Sequence, residues 1–425
     1  MSAAPDQNPP FKGLSGFRRY LFPLDHPRLA SVRGLPPEEY KIAAEEHPLA
    51  GAVIENWRPL HQAAFSGITE AGTLRPEVHT FTSPKPGEEA PIDSMVEAAL
   101  TLLSLLDSES QAQLCYAVDA PEWQTWINPE FVQFDTGLRL EFLSSEVIGA
   151  ALALMAASLS SEGFDTVRRT MRINHFLGEL VDLPTVLNEF SYQFALYGSP
   201  SATEPWGWQL FGHHCAVHCV VVGGRMHIGP VFLGAEPDCI DEGPHSGPGC
   251  FDRRVELARA FMNALGPDQR REAITYKKIV DPAMPDGRVD PGDERHLAGA
   301  FRDNRIIPFE GVSAQLMPDV AMTKLLELVD EFIALLPTGP RRARLREVER
   351  HLDETWVSWI GGWEPGEVFY MRVQSPVILF EIDHHGGVFL DYDTPQPFHI
   401  HTTLRTPHGN DYGRVWVKQW QIEHR

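Results

Sequence analysis

The feature that most constrains this 425-residue chain is a stretch near its C-terminus, which reads VILFEIDHHGGVFLDYDTPQPFHIHTTLR over residues 377–405. The pattern predicts an apolar strand, a Gly-Gly turn, further extended chain and a second strand that carries His-Ile-His. Because residues two apart on a strand point to the same face, Glu381 lies on one face with Asp383, and His399 with His401. Pairing of the two strands would bring a carboxylate and two imidazoles together.

A carboxylate and two imidazoles are enough to hold a metal ion and to leave positions open for a substrate. Glu381 strengthens this interpretation, because a carboxylate within the apolar run VILFEI must be paired or ligated to be tolerated. The alternative is structural. In that case the imidazoles pack beside tryptophans and bond to the backbone, and Glu381 forms a salt bridge with Arg372 or Arg405.

A second group of histidines follows Gly212, in the sequence GHHCAVHC. On a predicted strand, His213 and His214 face opposite ways, so at most one of them joins the site. Gly212 marks a place where the backbone needs room, which favours His214. His218 shares the face of His214 but lies about 13 Å away, too far to chelate the same ion. We therefore predict four metal ligands: His214, Glu381, His399 and His401.

Composition argues against several classes of protein. The chain has 36 Lys and Arg against 58 Asp and Glu, a formal net charge of −22, which argues against nucleic acid or an anionic membrane surface as the main partner. The longest apolar run, residues 147–159, is too short to span a bilayer. The first residues show no export signal, so the five cysteines, at irregular spacing, are expected as free thiols in a reducing compartment. We predict a cytoplasmic protein.

Helical and extended patterns alternate along the chain. Apolar periodicity predicts helices in the N-terminal half, at residues 92–116 with a break near Asp107, and at 144–161, 165–181 and 185–197. Strands are predicted at about 208–233, where Gly223 and Gly224 mark a hairpin, and at about 366–405.

Neither set of predicted strands is complete alone, and helical sequence separates them. We therefore predict an α+β fold in which a largely helical N-terminal half packs on one mixed or antiparallel sheet. Residues 1–36, rich in proline, basic and aromatic residues, are predicted to form an extended arm. Residues 37–425 are predicted to form a single interwoven domain.

Three segments together resemble a known family: PWGWQLFGHH (205–214), FYMRVQSPVILFEID (369–383) and FHIHTTLRTPHGNDYG (398–413). They are similar to the domain-of-unknown-function family numbered 3500 (DUF3500), over about residues 126–425. Ile382 replaces the aromatic residue usual between the two acids, and Thr406 stands where an acid is usual. The resemblance implies no activity, but it supports the positions His213, His214, Glu381, Asp383, His399, His401, Arg405, Pro407, Asp411 and Gly413.

Sequence motifs also limit the reaction type. No Gly-rich phosphate loop, nucleophile elbow or dinucleotide-binding fingerprint occurs, which argues against nucleotide-dependent and acyl-serine chemistry. We expect a metal-dependent lyase or hydrolase with one mononuclear divalent transition metal (Zn, Fe, Cu or Mn) and a small organic substrate, aromatic compounds included. Two alternatives stay open: a non-haem iron or copper oxidoreductase, and a non-enzymatic metal- or ligand-binding scaffold. The oligomeric state is not indicated.

Further residues are assigned roles around the ion. Arginines would hold a substrate oxygen or carboxylate, and an acid or a histidine would orient the ligands or act as general base. Tryptophans beside Gly-rich turns would line a pocket for a flat ligand. The predicted catalytic residues are His213, Asp383, Arg405 and Asp411, and the predicted substrate-binding residues are Trp206, Trp208 and Arg372.

Overall fold

The structure, a computed structural model, describes residues 16–23 and 25–424. The extended arm predicted for residues 1–36 therefore falls partly outside the described residues, at positions 1–15 and 24. Its described part contains a short helix, Pro27–Ala30. Phe17 is fully buried and packs edge-on against Phe176 and Phe398, which ties this part of the chain to the body of the protein.

Twelve α-helices lie within the described residues. They are α1 (Pro27–Ala30), α2 (Pro37–Glu46), α3 (Pro48–His61), α4 (Ile92–Ser104), α5 (Ser108–Leu114), α6 (Ser145–Ser158), α7 (Ser161–Val181), α8 (Asp252–Ala264), α9 (Pro267–Ala273), α10 (Asp319–Phe332), α11 (Thr338–Glu349) and α12 (Arg414–Glu423). None of these helices, which cover the described ranges only, combines the length and apolar composition needed to cross a membrane.

Short polar side chains set where the predicted helices begin. Asp107 Oδ1 accepts the Ser110 N–H at 2.8 Å, which separates α5 from α4 at the predicted break. Ser144 Oγ caps α6, and Ser160 Oγ caps α7 by accepting the Gly163 N–H at 2.9 Å. The capping residues are therefore the local signal that divides the helical half of the chain.

The strands form one sheet in the described residues. They are β1 (Cys115–Tyr116), β2 (Leu138–Arg139), β3 (Tyr192–Tyr197), β4 (Trp206–Gly212), β5 (Cys215–Val222), β6 (Arg225–Ala235), β7 (Ile274–Tyr276), β8 (Val312–Ser313), β9 (Trp356–Gly361), β10 (Phe369–Gln374), β11 (Leu379–His384) and β12 (Ile400–Arg405).

The order across the sheet is β1-β3-β4-β5-β6-β12-β11-β10-β9-β7, with β2 on β3 and β8 on β9. The pairs β1–β3 and β7–β9 are parallel and the others are antiparallel, so the sheet is mixed. The two predicted sets of strands meet where β6 pairs with β12, a junction that we call the seam. The predicted α+β fold with a mixed sheet is confirmed.

One predicted helix is wrong. Residues 185–197 end in the strand β3, whose six residues, Tyr192–Tyr197, are all buried. A strand covered on both faces carries apolar residues without alternation, and this pattern does not distinguish it from a buried helix. The predicted hairpin is confirmed, since Gly223 and Gly224 connect β5 to β6 with φ values of 50° and 82°.

The two faces of the sheet differ in chemistry. On one face Met371, Ile382, Ile400 and Leu404 join a buried apolar cluster with residues of α6, α7, α8 and α10. The alternate positions of β10, β11 and β12 point to the opposite face, where they form a buried polar layer. This layer, which lies beneath the loop of residues 293–303, comprises Tyr370, Arg372, Glu381, Asp383, His401, Thr403 and Arg405.

The five cysteines all lie within the described residues and carry thiols rather than disulfides. Burial raises the pKa of the Cys250 thiol above the ordinary cysteine value. Cys215 and Cys219 belong to the apolar cluster, where they act as small apolar side chains.

Candidate metal centre

His213 and His214 form the two-residue turn between β4 and β5, which closes where Gly212 pairs with Cys215. The prediction that the two side chains face opposite ways on a strand is wrong, because strand alternation ends where the turn begins. Both rings are buried and stacked, with 3.8 Å between their centroids. His214 has a φ of 95°, a left-handed conformation that costs a residue other than glycine about 1–3 kcal/mol.

Hydrogen bonds fix this turn. The Tyr192 hydroxyl donates to the His213 carbonyl at 3.1 Å, and the Gly234 N–H donates to the His214 carbonyl at 2.7 Å. His213 Nδ1 lies 2.7 Å from the Asn174 side-chain oxygen, so Nδ1 carries the proton and donates it. Helix α7 thereby holds the His213 ring against His214.

Three imidazole nitrogens converge beside the turn. His401 lies on β12, His399 just precedes this strand, and both rings are buried. His401 Nε2 lies 3.0 Å from His399 Nε2 and 3.1 Å from His214 Nε2. We call His214, His399 and His401 the three-histidine group. The structure therefore brings together three of the four predicted metal ligands.

Gly234, the partner of His401 across the seam, makes room for the three-histidine group. A Cβ atom on Gly234 would lie 2.9 Å from His401 Cδ2 and 3.1 Å from His214 Cδ2. Separations this short force one ring to move. A side chain at this position of β6 would therefore spread the rings apart.

The surroundings favour the neutral form of two of the three rings. Burial, together with the neighbouring imidazoles, holds the pKa of His214 and of His401 well below the ordinary histidine value. His399 Nδ1 donates to the Gly386 carbonyl at 2.7 Å. In the neutral His399 ring this leaves Nε2 without a proton, as metal-binding histidines require.

This proton arrangement leaves one contact unsatisfied. His399 Nε2 can only accept, and His401 Nε2 can either donate or accept. At most one of the two contacts, at 3.0 and 3.1 Å, is therefore a hydrogen bond. A cation between the nitrogens satisfies all three lone pairs, and zinc–imidazole bonds of about 2.0–2.1 Å place two such nitrogens about 3.0–3.4 Å apart. The three-histidine group fits a divalent metal ion.

A second group of possible ligands adjoins the first. His296, Asp383 and His385 each offer a ligand atom, and these atoms lie within 4.8 Å of one another. The His385 ring centroid lies 3.8 Å from that of His401, so the two groups are in contact. We call the second set the His-Asp-His group.

Glu381, predicted as a ligand, is not part of either group. Its carboxylate accepts the N–H groups of Leu297 and Ala298 at 2.8 and 3.0 Å and the Tyr370 hydroxyl at 2.6 Å. His296 Nδ1 lies 3.4 Å away. Burial opposes ionisation, but His296 and these hydrogen bonds outweigh it and lower the pKa of Glu381 to about 2. The buried carboxylate that the sequence predicted at Glu381 is therefore ionised, and it faces His296.

Arg405 and Asp411, predicted as catalytic residues, are engaged with each other. The Arg405 guanidinium pairs with Asp411 at 2.8 Å and with Asp303, and it donates to the carbonyls of Ala298 and Gly299. Asp411 also accepts the Thr406 N–H at 2.7 Å. These contacts hold the loop that covers the polar layer, and the catalytic roles of both residues stay predictions.

The predicted substrate-binding residues lie apart from the histidines. Trp206 and Trp208 are fully buried in the apolar cluster on the other face of the sheet. The Trp208 indole donates to Ser158 Oγ at 2.9 Å. Arg372 pairs with Glu310 at 2.8 Å. The structure does not bring these three residues to the imidazoles.

Two concave regions of the surface differ in their relation to the centre. A cavity of about 750 Å³ is lined by Arg225, His227, Arg344 and Trp416 among others, and includes no member of either histidine group. A small groove is lined by Phe131, Phe134, Phe211 and His213 among others. The groove thus reaches the ring that stacks on His214.

Sequence reasoning missed His296 and His385. His296 follows the loop of residues 281–295, which has no periodic signal from which its position could be inferred. His385 did have a signal, because it lies two residues after Asp383 and strand alternation places it on the same face. Asp383 itself was predicted as a general base or orienting residue, and the structure places it among possible metal ligands.

The family model described as "Protein of unknown function (DUF3500)" matches residues 88–414, more than half of the chain. The chain belongs to this family. The predicted resemblance is confirmed, and the matched range begins before the predicted start near residue 126. The histidines and acids of both groups fall inside the DUF3500 match. Comparison with curated proteins and with solved structures finds no match.

Proposed function

We propose that this DUF3500 protein is a metal-dependent enzyme that holds a divalent transition metal at the three-histidine group. The single observation that carries the proposal is the convergence of three Nε2 atoms at 3.0 and 3.1 Å, with too few protons for hydrogen bonds between them. Three histidines are the protein ligands of one class of catalytic zinc site, in which a fourth position stays open. We infer lyase or hydrolase chemistry.

The chain's own residues would shape the reaction in three ways. A divalent ion at this position supplies a Lewis acid or an activated water. The Gly386 carbonyl accepts from His399 Nδ1 and so directs the Nε2 lone pair of this ring inward. The Asn174 side-chain oxygen accepts from His213 Nδ1 and fixes that ring, which stacks on His214. Complete burial of the rings excludes bulk water and strengthens electrostatic interactions inside the site.

The groove beside His213 encloses only about 10 Å³, room for one water molecule, so a small aromatic substrate must widen it to bind. Three phenylalanines line it, and Arg139 supplies a cation at its edge, although this arginine also pairs with Glu141. Aromatic side chains provide apolar contact area for a flat molecule, and an arginine recognises a carboxylate. The aromatic substrate therefore stays a proposal that rests on these lining side chains and no longer on the two buried tryptophans.

Elemental analysis of the protein as purified, before any chelator is added, tests the metal. We expect a transition metal, and after its removal we expect Zn²⁺ or Mn²⁺ to raise the melting temperature. Metal-dependent turnover of aromatic esters, amides or hydroxy acids, lost in His401→Ala, tests the activity. Absence of metal together with no thermal shift on adding Zn²⁺, Mn²⁺, Fe²⁺ or Cu²⁺ would support the scaffold instead.

One observation favours a second candidate function, a non-haem iron oxidoreductase. Two histidines and one carboxylate with open positions are the ligand set of non-haem Fe(II) oxygenases, and the His-Asp-His group has this composition. Iron in the purified protein together with oxygen uptake during turnover would support it. Turnover with Zn²⁺ alone would favour hydrolase or lyase chemistry.

A further inference from the structure

We propose that His296, Asp383 and His385 hold a second divalent ion, so that the centre is dinuclear. The inference rests on the proposed function, which places the first ion at the three-histidine group. It goes beyond that function because it assigns a second site and a second set of ligands. The ion expected there is one that accepts two imidazoles and one carboxylate, such as Mn²⁺, Fe²⁺ or Zn²⁺.

The ladder between β11 and β12 places the two groups side by side. Asp383 pairs directly with His401 across this ladder, and His385 follows two residues later on the same face. The His385 and His401 ring centroids are 3.8 Å apart, whereas the His296 ring lies 5.8 Å from His385 and 6.2 Å from His401. The six ligand residues therefore surround two adjacent positions.

His296 has the hydrogen bonds of a metal-binding histidine. Its Nδ1 lies 2.8 Å from Thr403 Oγ1 and 3.4 Å from a Glu381 oxygen. Glu381 is itself fixed by two backbone N–H groups and by the Tyr370 hydroxyl. A carboxylate that faces one ring nitrogen orients the other nitrogen toward a metal, a relation that recurs around zinc.

The other nitrogen of His296 has no protein partner. Its Nε2 atom is buried and makes no hydrogen bond. A buried polar atom without a partner destabilises a protein, so such atoms point to a ligand or water that completes them. His296 is also one of the three residues whose ligand atoms lie within 4.8 Å of one another.

Asp383 and His385 complete the site. Asp383 Oδ1 accepts the Arg295 guanidinium N–H at 2.7 Å, and Oδ2 accepts the Arg295 backbone N–H at 3.1 Å. His385 Nε2 lies 3.1 Å from Oδ2 but is not aligned for a hydrogen bond, and it too is buried without a partner. The two atoms therefore face a shared position rather than each other.

Charge also favours a cation at this position. Asp383, Glu381 and Asp293 bring three buried carboxyl groups to the region, and Arg295 is the cation that contacts Asp383. Asp293 Oδ2 is a further buried oxygen without a hydrogen-bond partner. Two adjacent ions can stabilise both the attacking oxygen and the leaving oxygen of a hydrolytic displacement. An ester or phosphoester is therefore the substrate class for a dinuclear centre.

The experiment loads full-length, metal-free protein with Mn²⁺ and measures bound metal together with its electron paramagnetic resonance spectrum. We expect two ions per chain and the signature of exchange-coupled Mn²⁺. His296→Gln and His385→Gln should each bind one ion and show an uncoupled spectrum. His227→Gln is the matched control, because His227 Nε2 is also buried without a partner but lies outside both groups.

Each of the other outcomes refutes a specific claim. One ion in the parent protein that both glutamine variants retain refutes the second site and leaves the first. One ion that both glutamine variants lose refutes the dinuclear centre and the three-histidine site together. Two ions in both glutamine variants refute the ligand assignment. No bound ion in the parent refutes the proposed function as well. Circular dichroism identifies a variant that fails to fold, and the second glutamine variant then decides the question.

Discussion

Along residues 399–401 the chemistry changes with every residue. His399 and His401 direct Nε2 toward His214, whereas Ile400 joins the apolar cluster on the other face of the sheet. Because a strand alternates its side chains, substitutions one position apart test different layers of the protein. This separation gives a matched set of variants within three residues.

We expect His399→Ala and His401→Ala each to lose the bound metal and the thermal stabilisation that added Zn²⁺ gives. Ile400→Val should destabilise the fold by about 0.5–1.5 kcal/mol through lost packing and leave metal content unchanged. Elemental analysis and melting with and without Zn²⁺ measure both effects. Full metal occupancy in both histidine variants would refute the three-histidine site.

Glu381 offers a second test at the residue scale, because its charge acts through His296. Glu381→Gln keeps the shape of the side chain and removes the charge that faces His296 Nδ1. Loss of such an orienting carboxylate typically weakens metal binding 10–100-fold. We expect this loss for the second ion and an unchanged affinity for the first, measured by titration with Mn²⁺. Loss of the first ion instead would restore Glu381 as a direct ligand.

At the scale of elements, a glycine-to-alanine substitution should have opposite effects on stability in strand β6 and in helix α6. Gly234→Ala on β6 places a methyl group 2.9 Å from His401 Cδ2, so we expect lower stability and weaker metal binding. Gly149 lies within α6 with no atom within 4 Å of an added Cβ. Gly149→Ala should therefore stabilise the fold by about 0.5–1 kcal/mol and leave metal binding unchanged. Denaturant unfolding compares the two variants, and equal effects would contradict the role of Gly234.

Local patterns predicted the elements whose signals are local. Ser144 marks a real helix start, Gly223 and Gly224 form a real hairpin, and the alternation around His401 places it correctly. The next helix begins at Ser161 rather than at the predicted residue 165. The two turn residues, His213 and His214, are neither glycine nor asparagine, so the usual signal for a two-residue hairpin turn is missing after Gly212. The joining of the two strand sets in one sheet was predicted, but the choice of β6 and β12 as the partners was not, because strand pairing depends on packing rather than on local propensity.

For the whole molecule, buried histidines away from the centre link stability to pH. Burial lowers the pKa of His218 and of His227 to about 3. The unfolded chain therefore binds more protons below the ordinary histidine pKa of about 6.5, and folding stability falls as pH decreases from there. Each such histidine contributes a slope of up to about 1.4 kcal/mol per pH unit.

We expect the free energy of unfolding, measured with urea on metal-free protein, to be constant near pH 8 and to fall steeply between pH 6.5 and about pH 5. His218→Gln should reduce this slope by up to one proton, since it removes one group that protonates on unfolding. His175, whose side chain is partly exposed beside Glu179 on α7, is the control position for the same substitution. A flat profile from pH 8 to pH 5 would contradict the buried neutral state.

The seam also has a consequence for folding kinetics. His214 and His401 are 187 residues apart in the chain, and they meet only after β6 has paired with β12. Non-local pairing of this kind forms slowly, and contacts that form after the rate-limiting step affect unfolding more than folding. A bound ion should therefore slow unfolding, which lengthens the lifetime of the folded chain, and leave the folding rate almost unchanged.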